Sequence, residues 1–92
     1  MTAVDRLERR DAALIVEVAL SAVFDAGLVR QLREDSPLSV LGMVPADAVC
    51  VADAVEQEAG RLGWVCRLGD DDLADATSVA ELVTVVQERG ER

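Results

Sequence analysis

Apolar residues recur every three or four positions along the first quarter of the chain, which is the period of one helix face. The stripe, broken at one acidic position, consists of Val4, Leu7, Asp11, Leu14, Val18 and Ala22. Thr2 can cap its start, and Gly27 is typical of the residue that follows a helix. The pattern predicts a first helix from Thr2 to about Asp25, with this stripe facing the core.

A second helical pattern begins at Pro45, because proline is favoured at the first helical position. Its apolar residues share a narrow arc, and they are Val44, Ala48, Val51, Val55, Ala59 and Leu62. Its acidic residues lie outside this arc or on its flanks, and they are Asp47, Asp53, Glu56 and Glu58. Gly60 and Gly63 are expected to close this helix.

Between these two helices, residues 28–42 are predicted to form a long loop. Four leucines are its expected anchors to the core: Leu28, Leu32, Leu38 and Leu41. Asp35-Ser36-Pro37 is typical of a turn or of the start of a short helix. The loop therefore connects two helices while remaining attached to the core.

The remaining third of the chain predicts a short third helix and a longer fourth one. The acids of Asp70-Asp71-Asp72-Leu73 suit the positive end of a helix dipole, and they lack the spacing of a calcium loop. Ser78 and Glu81 form a capping-box pair, followed by the inward positions Val79, Leu82, Val83 and Val86. The segment Arg61–Gly69 is apolar but irregular, and Trp64 within it is expected to fill the core rather than to anchor a partner. Residues 1–92 thus predict a single all-α domain.

The composition narrows the classes of function and partner that are expected for this chain. The net charge is −9, with nine arginines and neither lysine nor histidine. Nucleic acid is excluded as an expected partner, because its binding relies on basic residues, whereas a basic protein surface suits this charge. Without histidine there is no imidazole base, so an enzyme is the least expected class, and no metal site is predicted.

No apolar stretch is long enough to span a bilayer, and the N-terminus lacks a signal pattern. A cytoplasmic protein is therefore expected, with its oligomeric state open. Cys50 is interpreted as a small, partly buried residue without a chemical role rather than a reactive thiol, because no basic residue lies near it in the sequence. A Cys50–Cys66 disulfide is disfavoured in a reducing cytosol.

Three segments resemble the acyl carrier and peptidyl carrier (phosphopantetheine-binding) family. Ser36–Met43 is similar to the lead-in of the family's second helix, and Val49–Glu58 is similar to the body of that helix. Thr77-Ser78-Val79 with Leu82-Val83 is similar to the start of its fourth helix. The resemblance covers nearly the whole chain and implies a bundle of three longer helices and one short helix.

The family signature Asp-Ser-Leu, whose serine carries the 4′-phosphopantetheine arm, is missing. An ungapped alignment on Leu41-Gly42 places Val44-Pro45-Ala46 at the signature, and a competing register places Asp47-Ala48-Val49 there. Neither Pro45 nor Ala48 has a hydroxyl to phosphorylate. The resemblance therefore implies a degenerate carrier without a cofactor at the usual position.

The resemblance leaves three hypotheses open. The first is a non-enzymatic scaffold or regulator in polyketide, fatty-acid or nonribosomal peptide biosynthesis. It would dock on a ketosynthase or acyltransferase through Asp47, Val49, Asp53, Glu56 and Glu58. The second is a working carrier with the arm on Ser36 or Ser39, although a role in a turn is the preferred interpretation of Ser36. The third is an unrelated helical interaction module.

Overall fold

The computed structural model describes residues 6–91, apart from the side chain of Asp70. The helices in this part of the chain are α1 (Arg9–Val23), α2 (Ala26–Arg30), a 3-10 helix (Leu38–Leu41), α3 (Pro45–Arg61), α4 (Asp70–Asp75) and α5 (Val79–Arg89). Two short strands, β1 (Val65–Cys66) and β2 (Gly90–Glu91), pair antiparallel and are called the ribbon below. The all-α prediction is confirmed, as are three longer helices and the short α4, whereas α2 and the ribbon were not predicted.

The longer helices enclose one core. α1 packs against α3 and α5, and β1 and α4 pack against α3. Side chains of Ala, Val and Leu dominate the buried set, and Trp64 fills the core at 7% exposure, which confirms its predicted position. Small side chains of this kind let helices pack closely, and the other aromatic residue, Phe24, packs partly buried against the same core.

The first helix is shorter than predicted at both ends. Thr2 and Val4 lie outside the described residues, and residues 6–8 are not helical. At the other end, Asp25 Oδ2 accepts the backbone N–H of Leu28 at 3.0 Å and so caps a new helix, α2. Gly27 therefore lies inside α2 and does not terminate α1, so its predicted role was wrong.

The buried face of α1 also differs from the prediction. Leu14 is 50% exposed and Val18 is 38% exposed, and Ala22 is exposed as well. The buried residues are instead Ala12, Ile15, Val16, Ala19 and Leu20. α1 has two apolar stripes, and burying the predicted one would also bury the carboxylate of Asp11, which is costly without a partner. Leu7 of the predicted stripe is buried, but from a position before the helix.

Backbone hydrogen bonds tie the loop before α3 to the start of α5. The N–H of Val79 donates to Ser36 O at 3.1 Å, and the N–H of Ala80 donates to Glu34 O at 2.8 Å. The loop residue Leu38 donates in return to Thr77 O at 3.0 Å. The first N–H groups of a helix have no partner within it, so these carbonyls complete the α5 terminus.

The predicted capping pair at α5 is present in modified form. Ser78 Oγ accepts the N–H of Glu81 at 3.2 Å, as predicted. The Glu81 carboxylate accepts the N–H of Thr77 at 2.9 Å, together with the Thr77 hydroxyl, rather than the N–H of Ser78. The inward positions of α5 are confirmed for Leu82, Val83 and Val86, and Val79 is half-buried.

The four leucine anchors of the loop have different outcomes. Leu38 and Leu41 are buried in the 3-10 helix, and Leu32 is half-buried against the core, so these three are confirmed. Leu28 is 39% exposed and its neighbour Val29 is the buried residue of α2, so this prediction was wrong. Both alternatives predicted for Asp35–Pro37 occur. A turn closes at Ser36, whose N–H donates to Arg33 O at 3.0 Å and whose Oγ accepts the N–H of Arg33 at 2.8 Å, and Pro37 directly precedes the 3-10 helix.

α3 begins at Pro45, as predicted. Its buried residues are Val51, Ala52, Val55 and Ala59, with Ala48 half-buried, whereas Val44 and Leu62 at the ends of the predicted arc are exposed. Gly63, with φ of +87°, donates to Gly60 O at 3.1 Å, and Trp64 donates to Ala59 O at 2.9 Å. This is the Schellman pattern, so Gly63 ends the helix and Gly60 lies in its last turn.

Substituting Gly63 by alanine should lower the free energy of unfolding by about 1–2 kcal/mol, because a Cβ disfavours a left-handed backbone. Gly60 is the matched control, since nothing lies within 4 Å of where its Cβ would stand. Alanine there should raise the free energy of unfolding by about 0.5–1 kcal/mol. Urea unfolding of both variants measures the two changes, and equal effects would contradict the assigned helix end.

Candidate functional site

The start of α3 forms one side of an open, mainly apolar groove. The 3-10 helix and α4 form its other walls, and its volume is about 590 Å³. Leu38, Met43, Ala48 and Leu73 are among its lining residues. We call it the α3 groove, and the carrier-signature positions of both registers lie beside it.

Pro45 is exposed at the first position of α3, and Ala48 is half-buried in the α3 groove. Neither residue offers an oxygen for a phosphodiester bond. Ser39 is an exposed serine in the lining of the groove, and its hydroxyl has no hydrogen-bond partner among the described residues. Ser36, in contrast, is half-buried and engaged by the N–H of Arg33.

Three of the four predicted docking acids have contacts within the chain. Asp47 Oδ2 accepts the N–H of Val44 at 3.1 Å and thereby caps α3. Glu56 accepts the N–H of Leu68 at 3.4 Å, and Glu58 pairs with Arg61 at 3.0 Å. These carboxylates hold the ends of α3 and the segment that follows it.

The docking acids also point in different directions around α3. Eleven residues separate Asp47 from Glu58, which is about three turns, so both lie on one flank. Glu56 lies about 200° from Glu58 around the axis, on the opposite flank. Asp53 is exposed, has no ion pair with a described residue, and follows the 47% exposed Val49 by about one turn. We call Val49 and Asp53 the α3 face, since these exposed positions lie within about 40° of each other around α3 and are available to a partner.

The two cysteines differ in environment. Both are free; Cys50 is exposed on α3, and Cys66 is 2% exposed in β1. Cys66 Sγ donates to Val86 O at 3.8 Å. Burial, with a smaller effect from Glu56, raises the pKa of the Cys66 thiol to about 11. The partial burial predicted for Cys50 is therefore wrong, since this residue is exposed.

The acidic run at α4 acts as a helix start, as predicted. Asp72 Oδ2 accepts the N–H of Gly69 at 2.8 Å, and its other oxygen pairs with Arg89 at 2.9 Å. Across the residues that the structure describes, no group of three or more His, Cys, Asp or Glu side chains is placed to hold a metal ion. Within the same residues, no helix is long and apolar enough to cross a membrane.

A second groove, of about 430 Å³, lies between α1, α2 and the start of α5. Its lining includes the exposed Leu14 and the core residues Val16, Leu20 and Val83. We call it the α1 groove, and we call Leu14, Val18 and Ala22 the α1 face. Sequence reasoning missed this surface because it assigned the same residues to the core.

Comparison with protein-family models, with curated proteins and with solved structures finds no match to this chain. The geometry around α3 and the resemblance of the sequence segments that form it are therefore the features that bear on function.

Thiol-specific alkylation of the native protein should modify Cys50 and leave Cys66 unmodified. Burial removes Cys66 from solvent, and its raised pKa keeps it protonated up to about pH 10, whereas the thiolate is the reactive form. Mass spectrometry should detect one adduct natively and two in urea, and Cys50→Ala should give none natively. Rapid native labelling of Cys66 would contradict its placement.

Proposed function

We propose that this chain is a non-enzymatic, carrier-like protein that acts by binding a partner through the α3 face. The observation that carries the proposal is the start of α3. There, the residues that the ungapped alignment sets against the arm-bearing signature, Val44-Pro45-Ala46, are exposed, capped by Asp47 and without a hydroxyl. Proline suits this position, so the helix begins normally while the residue that would accept the arm is absent.

The short α4 between α3 and α5 favours this proposal over an unrelated helical module, because the carrier resemblance implies that element order. The proposed partner is a basic surface of a ketosynthase or acyltransferase in polyketide, fatty-acid or nonribosomal peptide biosynthesis. Val49 would supply an apolar contact and Asp53 a charged one. An exposed apolar residue beside unpaired charge is typical of such an interface.

Incubating the protein with coenzyme A and a promiscuous phosphopantetheinyl transferase should leave its mass unchanged. The physical reason is the absence of a hydroxyl at Pro45 and Ala48, where the enzyme would meet the start of α3. An active carrier domain in the same tube is the positive control. Intact-mass spectrometry measures the result, and a gain of one arm would refute the proposal.

A working carrier with a displaced arm remains the second candidate, and the structure favours Ser39 over Ser36 for it. Ser39 is exposed at the α3 groove, whereas Ser36 is engaged in its turn. If a mass gain occurs, Ser39→Ala should abolish it and Ser36→Ala should not. Peptide mapping of the modified protein would then locate the arm.

Replacing Asp53 by arginine should weaken binding to a ketosynthase or acyltransferase encoded beside this chain, because it reverses the exposed charge of the α3 face. The wild-type affinity should also fall as salt rises, since exposed pairs are screened. Glu88→Arg, at an exposed position on α5, makes the same charge change away from the α3 face. Isothermal titration calorimetry measures both variants, and equal losses would place the interface elsewhere.

Asp53 is the suitable test position because its side chain has no hydrogen bond or ion pair with a described residue. Replacing Glu56, in contrast, would also remove the acceptor for the N–H of Leu68. A loss of binding in a Glu56 variant could therefore result either from a lost docking contact or from a local structural change.

A further inference from the structure

The α3 groove is an apolar site that docking through the α3 face leaves without a ligand. Its most buried lining residues are Leu38 and Leu73, and Met43 and Ala48 are half-buried beside them. Its volume of about 590 Å³ lies within the range of about 300–1,000 Å³ that is usual for small-molecule sites. The groove is therefore large enough for the apolar body of a small organic molecule.

Hydrogen bonds within the chain hold the walls of this groove in place. The N–H of Leu38 donates to Thr77 O at 3.0 Å and so joins the 3-10 helix to the segment after α4. Asp47 Oδ2 accepts the N–H of Val44 at 3.1 Å and fixes the start of α3. Because the walls are ordered before a ligand arrives, binding does not have to supply the free energy that orders them.

The charge around the α3 groove favours a cationic ligand. Residues 34–60 include the 3-10 helix and nearly all of α3, and residues 68–88 include α4 and most of α5. Each of these two ranges contains six acids, and neither contains arginine, lysine or histidine. Such a surface attracts cations and repels anions. A positively charged ligand therefore complements the groove, whereas a carboxylate or phosphate does not.

Two polar side chains of the lining are available to the charged group of such a ligand. Asp71 on α4 and Ser39 on the 3-10 helix are both exposed, and neither side chain has a hydrogen bond or ion pair with a described residue. Their carboxylate and hydroxyl oxygens accept hydrogen bonds, and a primary ammonium group carries three N–H donors. The lining thus offers acceptors for an ammonium group next to an apolar surface.

We propose that the α3 groove binds an amphiphilic primary amine. Its apolar body lies over Leu38 and Leu73, and its ammonium group lies at the rim of the groove, where Asp71 and Ser39 supply acceptors. Burial of the apolar body provides most of the affinity, and the carboxylate of Asp71 provides the preference for a cation. The inference does not rest on the proposed carrier-like function, because binding of an amine requires neither an arm nor a protein partner.

Decylammonium is a suitable probe of this site. Added to isotope-labelled protein below its micelle-forming concentration, it should shift the amide signals of the 3-10 helix, the start of α3 and α4. The dissociation constant should be on the order of 1 mM, as suits a ligand of this size in an open groove. Decanoate, with the same number of carbon atoms and the opposite charge, should bind several-fold more weakly. Equal affinity for the two probes, or shifts confined to the α3 face, would overturn the proposal.

Two variants test the contacts of the ligand. Asp71→Asn should weaken decylammonium binding by about two- to fivefold, which is the size of an exposed ion pair. Glu88→Gln is the matched control, because it removes an exposed carboxylate of α5 outside the groove and should leave the affinity unchanged. Ala48→Leu should abolish saturable binding, since the added side chain occupies the space of the apolar body.

Circular dichroism checks that each variant is folded. The comparison of Asp71→Asn with Glu88→Gln tests the proposal even if Ala48→Leu does not fold, because both replacements are at exposed positions. Equal effects of these two charge changes contradict the proposed position of the ammonium group and overturn the proposal. A folded Ala48→Leu variant that binds decylammonium as the wild type does overturns it as well.

Discussion

At the start of α5, the N–H groups of Val79 and Ala80 have no acceptor inside the helix and donate to loop carbonyls instead. These hydrogen bonds hold the loop against α5, so the 3-10 helix can place Leu38 in the core. Gly42, with φ of +62°, then turns the chain towards the start of α3. The α3 groove and the α3 face depend on this junction, because it positions the 3-10 helix that forms one groove wall.

Many of the acids in this chain act on its own backbone. An Asp or Glu carboxylate accepts a backbone N–H at the start of each α-helix after α1, and these residues are Asp25, Asp47, Asp72 and Glu81. Negative charge at a helix N-terminus is favourable because of the helix dipole. Part of the net charge of −9 therefore has a structural role, and only acids without such contacts, such as Asp53, are available for recognition.

Helix starts that depend only on residues adjacent in the sequence could be predicted. Pro45 and Ser78 mark their helix starts through their own backbone and side-chain chemistry, and so does the acidic start of α4. The buried side of α1 was predicted wrongly because both of its stripes have helical spacing. The signal in the sequence that distinguishes them is Asp11, whose carboxylate is costly to bury without a partner. The ribbon joins Cys66 to Gly90 across a long separation, and the α1 groove likewise depends on tertiary packing.

Trp64 is an intrinsic fluorescence probe of this fold. It is the single tryptophan in a chain without tyrosine, and it is buried between the end of α3 and the ribbon. Its emission spectrum therefore reports the polarity around this one side chain, and no tyrosine transfers energy to it. Opening of the ribbon would expose Trp64 to water and shift that emission to longer wavelength.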